Sequence, residues 1–477
     1  MAPRARGDRS APGPGGHARA NRAGCRSARG ASLRPRNVAW LAVLAGALLA
    51  QARADAPSVL SYDEARAALD AVSDARKASE AVLDRSKDEA RAARTLGLPD
   101  LSVNATELFG EKTGTIPGTP LGNIQLSENF KGPRSSLNSV WSIYSGGRIT
   151  ATQRALAAGI EAASAELGHT EEDLEVLLVS EYFGLELAVN VERTRNSVLE
   201  QADRQLERAV QFEKQGLIPK VERLSAQVAR DEAAREQVSA QRDREIAQAS
   251  LRRLLHREDV VGTRTPLFVS THSLKPLSEW LQDAQRTSPT LAALAARRNQ
   301  AEQGIALAQS LWKPEIFAFG SYNMIRKYQT LIEPDWIAGV GVNFTLFSHE
   351  DRASKVGAAR HGLREAESLQ AAASTTIATE VESMYRKVEQ AREQFKLLDS
   401  TIALAQENLR LRERGFGEAQ ATSLDVSDAR DALARSLTAR AFAAYDYDIA
   451  LAQLLRAAGQ AHAFSEFIRQ ADIQLPP

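Results

Sequence analysis

Cysteine is nearly absent. One residue in 477, Cys25, excludes a disulfide framework or a cysteine-held metal cluster. The seven histidines are scattered without ligand spacing, so no metal site is expected. Net charge is missing too: 60 basic side chains balance 60 acidic ones, which argues against a nucleic-acid partner. No G-x-S-x-G elbow, phosphate-cradling loop or dinucleotide fingerprint occurs, and no carboxylate pair stands apart from the charged helix faces. Neither an enzyme nor a cofactor is therefore expected. Aromatic residues make up only 6% of the chain while Ala, Leu, Glu, Gln and Arg dominate, a composition of long helices and not of several globular cores.

Long apolar runs are also missing, with one short exception. Residues 1–36 hold nine arginines and a single acid, Asp8, and "VAWLAVLAGALLA" (38–50) follows without a charge. This has the plan of a secretory signal, with A-x-A sites at 52–54 and 54–56, so residues 1–54 are expected to be removed before Asp55 or Pro57. An uncleaved anchor is the alternative, although the run is short for a membrane span. Cys25 precedes the apolar run, where it cannot serve as a lipid-modified mature terminus, and the mature chain would have no cysteine. With no second apolar segment, any membrane insertion must be by strands.

What is present is repetition. "LPDLSVNA" (98–105) is echoed by "WKPEIFAF" (312–319), each preceded by a helical stretch and each with a proline opening a candidate strand. "WSIYSGGRITATQRA" matches "FTLFSHEDRASKVGA" at an offset of 347 − 144 = 203, and Gly216, Pro219 and Ala226 fall opposite Ala419, Thr422 and Ala429 at the same offset. The expected plan is thus a repeat over 55–256, with strands near 100–109 and 135–145 and a helical hairpin over 148–256. A linker at 257–276 follows, then a second repeat over 277–458 with strands near 315–325 and 335–347 and a hairpin over 352–458. Residues 459–477 remain as a tail.

Two periodicities fill this plan. Ile149, Leu156, Ile160, Leu167, Leu174, Leu178 and Leu185 follow a near-heptad step, as do Ile377, Val381, Met384, Val388, Phe395, Leu398, Ile402 and Leu409. That spacing makes coiled-coil seams on helices far longer than a soluble domain needs. In "WIAGVGVNFTLF", Trp336, Ala338, Val340, Val342, Phe344 and Leu346 alternate with Gly339, Gly341, Asn343 and Thr345, the pattern of a strand with one apolar face. Trp141, Tyr144, Trp312, Tyr322, Tyr328 and Trp336 lie near strand ends, where interfacial rings of a membrane barrel belong. Two soluble hairpins would show the same alternation. Four strands cannot close a barrel alone, so closure in lipid would take several copies of the chain. The segment "FGEKTGTIPGTPLGNIQLSENFKGPR" (109–134), rich in Gly, Pro and Thr, reads as an exposed loop.

These residues carry a likeness. Two halves, each a strand hairpin followed by a long helical hairpin, with "WSIYSGGRI" at a strand-to-helix junction and helix breaks at "FEKQGLIPKVERLSAQ" and "FGEAQATSLDVSDA", resemble the TolC family of outer membrane efflux proteins. The resemblance implies a mainly α fold with a transmembrane β-barrel part: a homotrimer whose twelve-strand barrel continues into a helical tunnel across the periplasm of a Gram-negative cell. It implies a passive exit duct seated in outer membrane lipid, working with a periplasmic adaptor and an inner-membrane pump or ABC secretion transporter. It implies adaptor-contacting helix tips at Gly216, Leu217, Ile218 and Pro219 and at Ala419, Thr422 and Ser423. Asp425 and Asp428 match the family's aperture carboxylates, which in a trimer would repel one another and raise their own pKa values. The sequence departs from the family pattern at Ala419, where glycine is usual, at Ala421, where some members carry a gate-tying arginine, and at "FSHEDR" in place of Gly-Gly-Arg. The spacing of three also puts both aspartates at a helix start, where a merely dipole-favouring role is open. A soluble periplasmic coiled-coil scaffold or adaptor is the competing function.

Overall fold

A computed structural model describes residues 58–120, 122–326, 334–418 and 420–475. The expected signal segment, Tyr328 and Ala419 lie outside the described residues.

Helices dominate. In chain order the elements are β1 (Ser58–Leu60), α1 (Tyr62–Val72), α2 (Asp74–Arg94), β2 (Asp100–Thr119), β3 (Gly122–Tyr144), α3 (Arg148–Lys214), α4 (Lys220–Leu254), β4 (Val260–Thr263), β5 (Phe268–Val269), α5 (Leu277–Thr287), α6 (Pro289–Ser310), β6 (Glu315–Asn323), β7 (Trp336–Asn343), α7 (Arg352–Gly417), α8 (Ser423–Ala457), α9 (Phe464–Gln470) and β8 (Ile473–Gln474). At 67 and 66 residues, α3 and α7 each run roughly 100 Å at about 1.5 Å per residue. None of the described helices is apolar enough to cross a membrane.

The seams differ between halves. On α7, Ile377, Val381, Val388, Phe395, Ile402 and Leu409 are buried as a heptad row predicts. On α3 the predicted residues from Ile149 to Leu174 are only half-buried, and Ala151, Ala158 and Ala163 take the closest contacts. Small side chains admit the backbones of α2 and α6, both of which pack on α3. Below them α4 turns the row Ala226, Ala233 and Ala240 inward at seven-residue steps.

Four of the strands form one antiparallel sheet in the order β2-β3-β6-β7. Its register separates most side chains, with Ser135 and Ser139 polar exceptions on the apolar face and Val140, Phe317, Phe319 and Ile337 apolar ones on the other. Leu101, Val103, Leu137, Trp141, Ala318, Tyr322, Trp336, Val340 and Val342 share one face, whereas Ser102, Asn104, Asn138, Ser142 and Ser321 share the other. The Ser321 hydroxyl donates to Asn138 Oδ1 at 2.7 Å across that polar face. Phe317 and Phe319, part of the unbroken run "IFAF", lie opposite Gly341 and Gly339, and a Cβ on Gly341 would meet Phe317 Cζ at 2.6 Å. The rings occupy the space the glycines leave.

Two strand expectations need correction. The segment read as an exposed loop is strand: β2 and β3 pair from Asp100↔Val140 to Ile116↔Ile124, with a register shift before Thr119↔Gly122 that leaves Pro117 and Gly118 outside the ladder. Pro117 is tolerated because β2 is an edge strand, and Pro133 lies where β3 is paired on one side only. At the other edge β7 ends at Asn343 and not near 347, because its partner β6 begins at Glu315, opposite Asn343. Beyond that point no ladder bonds remain, and Leu346 and Phe347 are exposed.

The segments read as linker and tail are structural. β4 pairs in parallel with β1, and β5 pairs antiparallel with β8 at the C-terminal end. Around them Tyr62, Tyr182, Phe183, Phe268, Tyr447 and Phe464 are fully buried with ring centroids 5.2–6.1 Å apart. This collar is the main core of the described chain.

Candidate functional site

Each helical hairpin turns at one of the breaks in the sequence. At the first, Gly216 takes φ +72°, Gly216 N–H donates to Glu213 O and Leu217 N–H donates to Phe212 O, both at 2.9 Å. This is a Schellman ending, which needs the left-handed residue that glycine supplies. Pro219 then caps α4 in extended conformation. Leu217 points into solvent, while Ile218 packs on a small cluster of Ala209, Ala226, Leu409, Phe416, Val426 and Ala429.

At the second break Thr422 is the N-cap of α8 in a capping box: its hydroxyl accepts Asp425 N–H at 3.1 Å and Asp425 Oδ2 accepts Thr422 N–H at 3.0 Å. The Thr422 N–H and, at 2.7 Å, the Thr422 hydroxyl both donate to Asp425 Oδ2 and, with Arg412 Nη1 at 3.2 Å from Asp425 Oδ1, hold the Asp425 carboxyl below its ordinary range. The pull is opposite to the mutual repulsion expected of a ring of carboxylates. Asp428, one turn on, lines a groove of about 530 Å³ between α4 and α8 with Val221, Leu224, Val228, Leu424 and Asp431. The two aspartates therefore stand in different surroundings despite their spacing.

Two residues that sequence reasoning missed hold the breaks: one ties the first to the second, and the other clasps the two arms of the second. Glu222, in the first turn of α4, accepts the N–H of buried Ser423 at 2.7 Å. Arg412, on α7, places its Nη1 3.2 Å from Asp425 Oδ1. The capping box was visible as Thr-x-x-Asp in "TSLD", but nothing local marked Glu222 or Arg412.

The strand-to-helix junctions also differ by chemistry. Gly146 and Gly147 take φ +66° and +93°, and a Cβ on Gly146 would meet Lys313 Cβ at 2.9 Å. In the second repeat Asp351 does the work instead, accepting Ala353 N–H at 2.9 Å and Ser354 N–H at 3.2 Å as the N-cap of α7. The ring residues sort into two levels. Trp141, Tyr144 and Trp312 lie at the helix-proximal end, with Trp141 Nε1 donating to Gly97 O at 2.9 Å. Tyr322 and Trp336 are directly paired at the other end. Tyr144 is level with Ile316, six residues from Tyr322, a span of roughly 20 Å along a strand.

The collar holds an ionisable group of its own. Glu172 on α3 accepts Ala461 N–H at 2.8 Å, and burial, with further repulsion from Glu175 and Asp173 against the pull of Arg456, pushes its carboxyl up to about 7. The folded state thus binds this proton more tightly than the unfolded chain, whose carboxyl titrates near 4.5. The stability it contributes is complete below the unfolded value and is lost as pH rises through 7. Glu172→Gln should raise stability at pH 8 by on the order of 1 kcal/mol after solvent screening and change little near pH 5. Urea midpoints at the two pH values measure this, and equal effects at both would refute it.

Residues 280–460 match the family described as outer membrane efflux protein. No curated relative matches the sequence. Among solved structures the fold is similar to the CmeC outer membrane channel of Campylobacter jejuni, at 14% identity over 86% of this chain and 88% of that one, with a TM-score of 0.70. It is similar to the outer membrane protein VceC of Vibrio cholerae, at 16% identity over 84% and 96%, with a TM-score of 0.71. It is also similar to the MtrE outer membrane channel of Neisseria gonorrhoeae in its open state, at 19% identity over 83% and 89%, with a TM-score of 0.64. The second repeat thus matches the outer membrane efflux protein family, and the chain as a whole has the fold of outer membrane channels.

Proposed function

We propose that the chain is one subunit of a trimeric exit duct that crosses the outer membrane and the periplasm and passes substrates driven by an inner-membrane transporter through a periplasmic adaptor. The observation that carries this is the sheet. It has a mainly apolar face, a mixed face and two free edges, β2 and β7, set on helices long enough to span a periplasm. In lipid those edges must be paired, and head-to-tail closure of three copies pairs them all in a twelve-strand barrel. The helices support the same closure: Leu397, Leu404 and Leu411 form an exposed heptad row on α7, a seam without a partner among the described residues.

On this reading the helix breaks are the inner mouth. Gly216, Leu217, Ile218, Pro219, Ala419, Thr422 and Ser423 meet the adaptor, and Asp425 and Asp428 line the aperture. Trp141, Tyr144, Trp312, Tyr322 and Trp336 sit at the membrane interfaces. Membrane fractionation, mobility of the unboiled protein in gels and ion conductance in planar bilayers test the duct, and recovery as a soluble monomer would sink it. The aspartates separate by role. Asp428→Ala should weaken cation block of the current and leave stability unchanged, whereas Asp425→Ala should also cost about 1 kcal/mol through the lost cap. Unchanged block in both would remove the aperture assignment.

A further inference from the structure

Most buried ions in this chain are matched. Glu175 is held by Tyr62 and Arg66, Glu186 by Thr263 and Asn190, and Arg456 by Asp173 and Glu380. Arg430 is the exception among the arginines near the helix breaks. On α8, seven residues past Ser423, it is 3% exposed, and its Nε and Nη2 have no hydrogen-bond partner among the described residues. Gln205 Nε2 on the facing α3 and Ser423 Oγ are buried without partners as well. The charges that act on Arg430 are Glu413 on α7 and Asp431 beside it, which favour it, and Arg204 and Arg208 on α3, which oppose it.

An unmatched guanidinium out of water is costly, and replacing a buried ion by an apolar side chain of similar volume is often neutral or stabilising. Where the two hairpins meet, Ala202, Ala209, Ala226, Ala233, Ala429 and Ala434 alternate with Val198, Leu409 and Val426, and Phe212 stacks on Phe416 with ring centroids 5.8 Å apart. Parting α8 from α3 loses part of that apolar contact but gives the guanidinium water or the Glu413 carboxylate, so the two costs oppose each other.

We propose that Arg430 biases the two hairpin ends toward parting and so sets the resting open fraction of the duct's inner mouth. This rests on the exit-duct reading above. The full mature chain, purified as the assembled channel, would be compared with R430M and R430Q in planar bilayers and by thermal melting. Both variants should melt higher, and the open fraction should fall by about tenfold for R430M, the equivalent of about 1.4 kcal/mol toward the packed arrangement. E413Q should lower it less, by removing the acceptor of the parted state. A wild-type protein that does not conduct overturns the duct reading itself. A conducting protein whose open fraction is unmoved by R430M and R430Q, or variants that melt lower or fail to assemble, overturn the role of Arg430 and leave the duct standing.

Discussion

Val340→Arg should abolish recovery of the chain as a heat-modifiable species in the membrane fraction. Val340 lies at the middle of β7, is 68% exposed, and stands opposite Ala318 on the face that also carries Trp336, Val342, Tyr322 and Trp141. If that face meets lipid, a guanidinium near the bilayer midplane costs roughly 2–4 kcal/mol, and symmetry imposes the cost in every copy. The flank offers no rescue, because β7 is an edge strand whose free side must pair with the next copy. Ser321→Arg is the matched control. Ser321 is on the same sheet but on the face shared with Asn138 and Ser102, so its variant should assemble and show altered ion selectivity. Assembly of both variants, or failure of both, would contradict the assignment of faces.

The alternation that identifies this sheet was legible in the sequence, because a strand with one apolar face repeats every two residues whatever its partners are. The constant offset of 203 residues exposed the two-repeat plan for the same reason: it is local pattern, twice. The upper hairpin was not legible. Residues 109–134 hold Gly110, Gly114, Pro117, Gly118 and Pro133, which individually argue for a loop. Only the pairing partner, residue for residue from Phe109↔Lys131 onward, makes them strand. The roles at the helix breaks divide similarly. The glycine turn and the Thr422–Asp425 box are short-range motifs. Glu222 reaching Ser423 is a contact between hairpins and Arg412 reaching Asp425 a contact across the arms of one, and an acid or arginine on a helix reads as a solvated face until its neighbour is known.

The least legible part is also the one whose loss should cost most. Phe464, in the segment read as a tail, is fully buried with ring centroids 5.4 Å from Tyr62, 5.9 Å from Phe183 and 5.7 Å from Phe268. Those three partners come from α1, α3 and β5, so one side chain joins the first repeat, the segment between repeats and the C-terminal end. The approach is fixed by Gly459, at φ +68°, where a Cβ would lie 2.4 Å from Thr287 O. Arg66 reaching His462 O at 3.2 Å and Ser465 donating to Asp63 at 2.7 Å prevent the segment from collapsing into the space a smaller residue leaves. Phe464→Ala should therefore destabilise by about 3–5 kcal/mol, the range for a large aromatic removed from a rigid core. Phe442→Ala, on α8 at an exposed position, should cost under about 1 kcal/mol in the same melts. Had the tail been a loose appendage, the two substitutions would be indistinguishable. A large gap between them would show that the C-terminal segment is part of the core that packs on the middle of α3, about halfway between the sheet and the helix breaks.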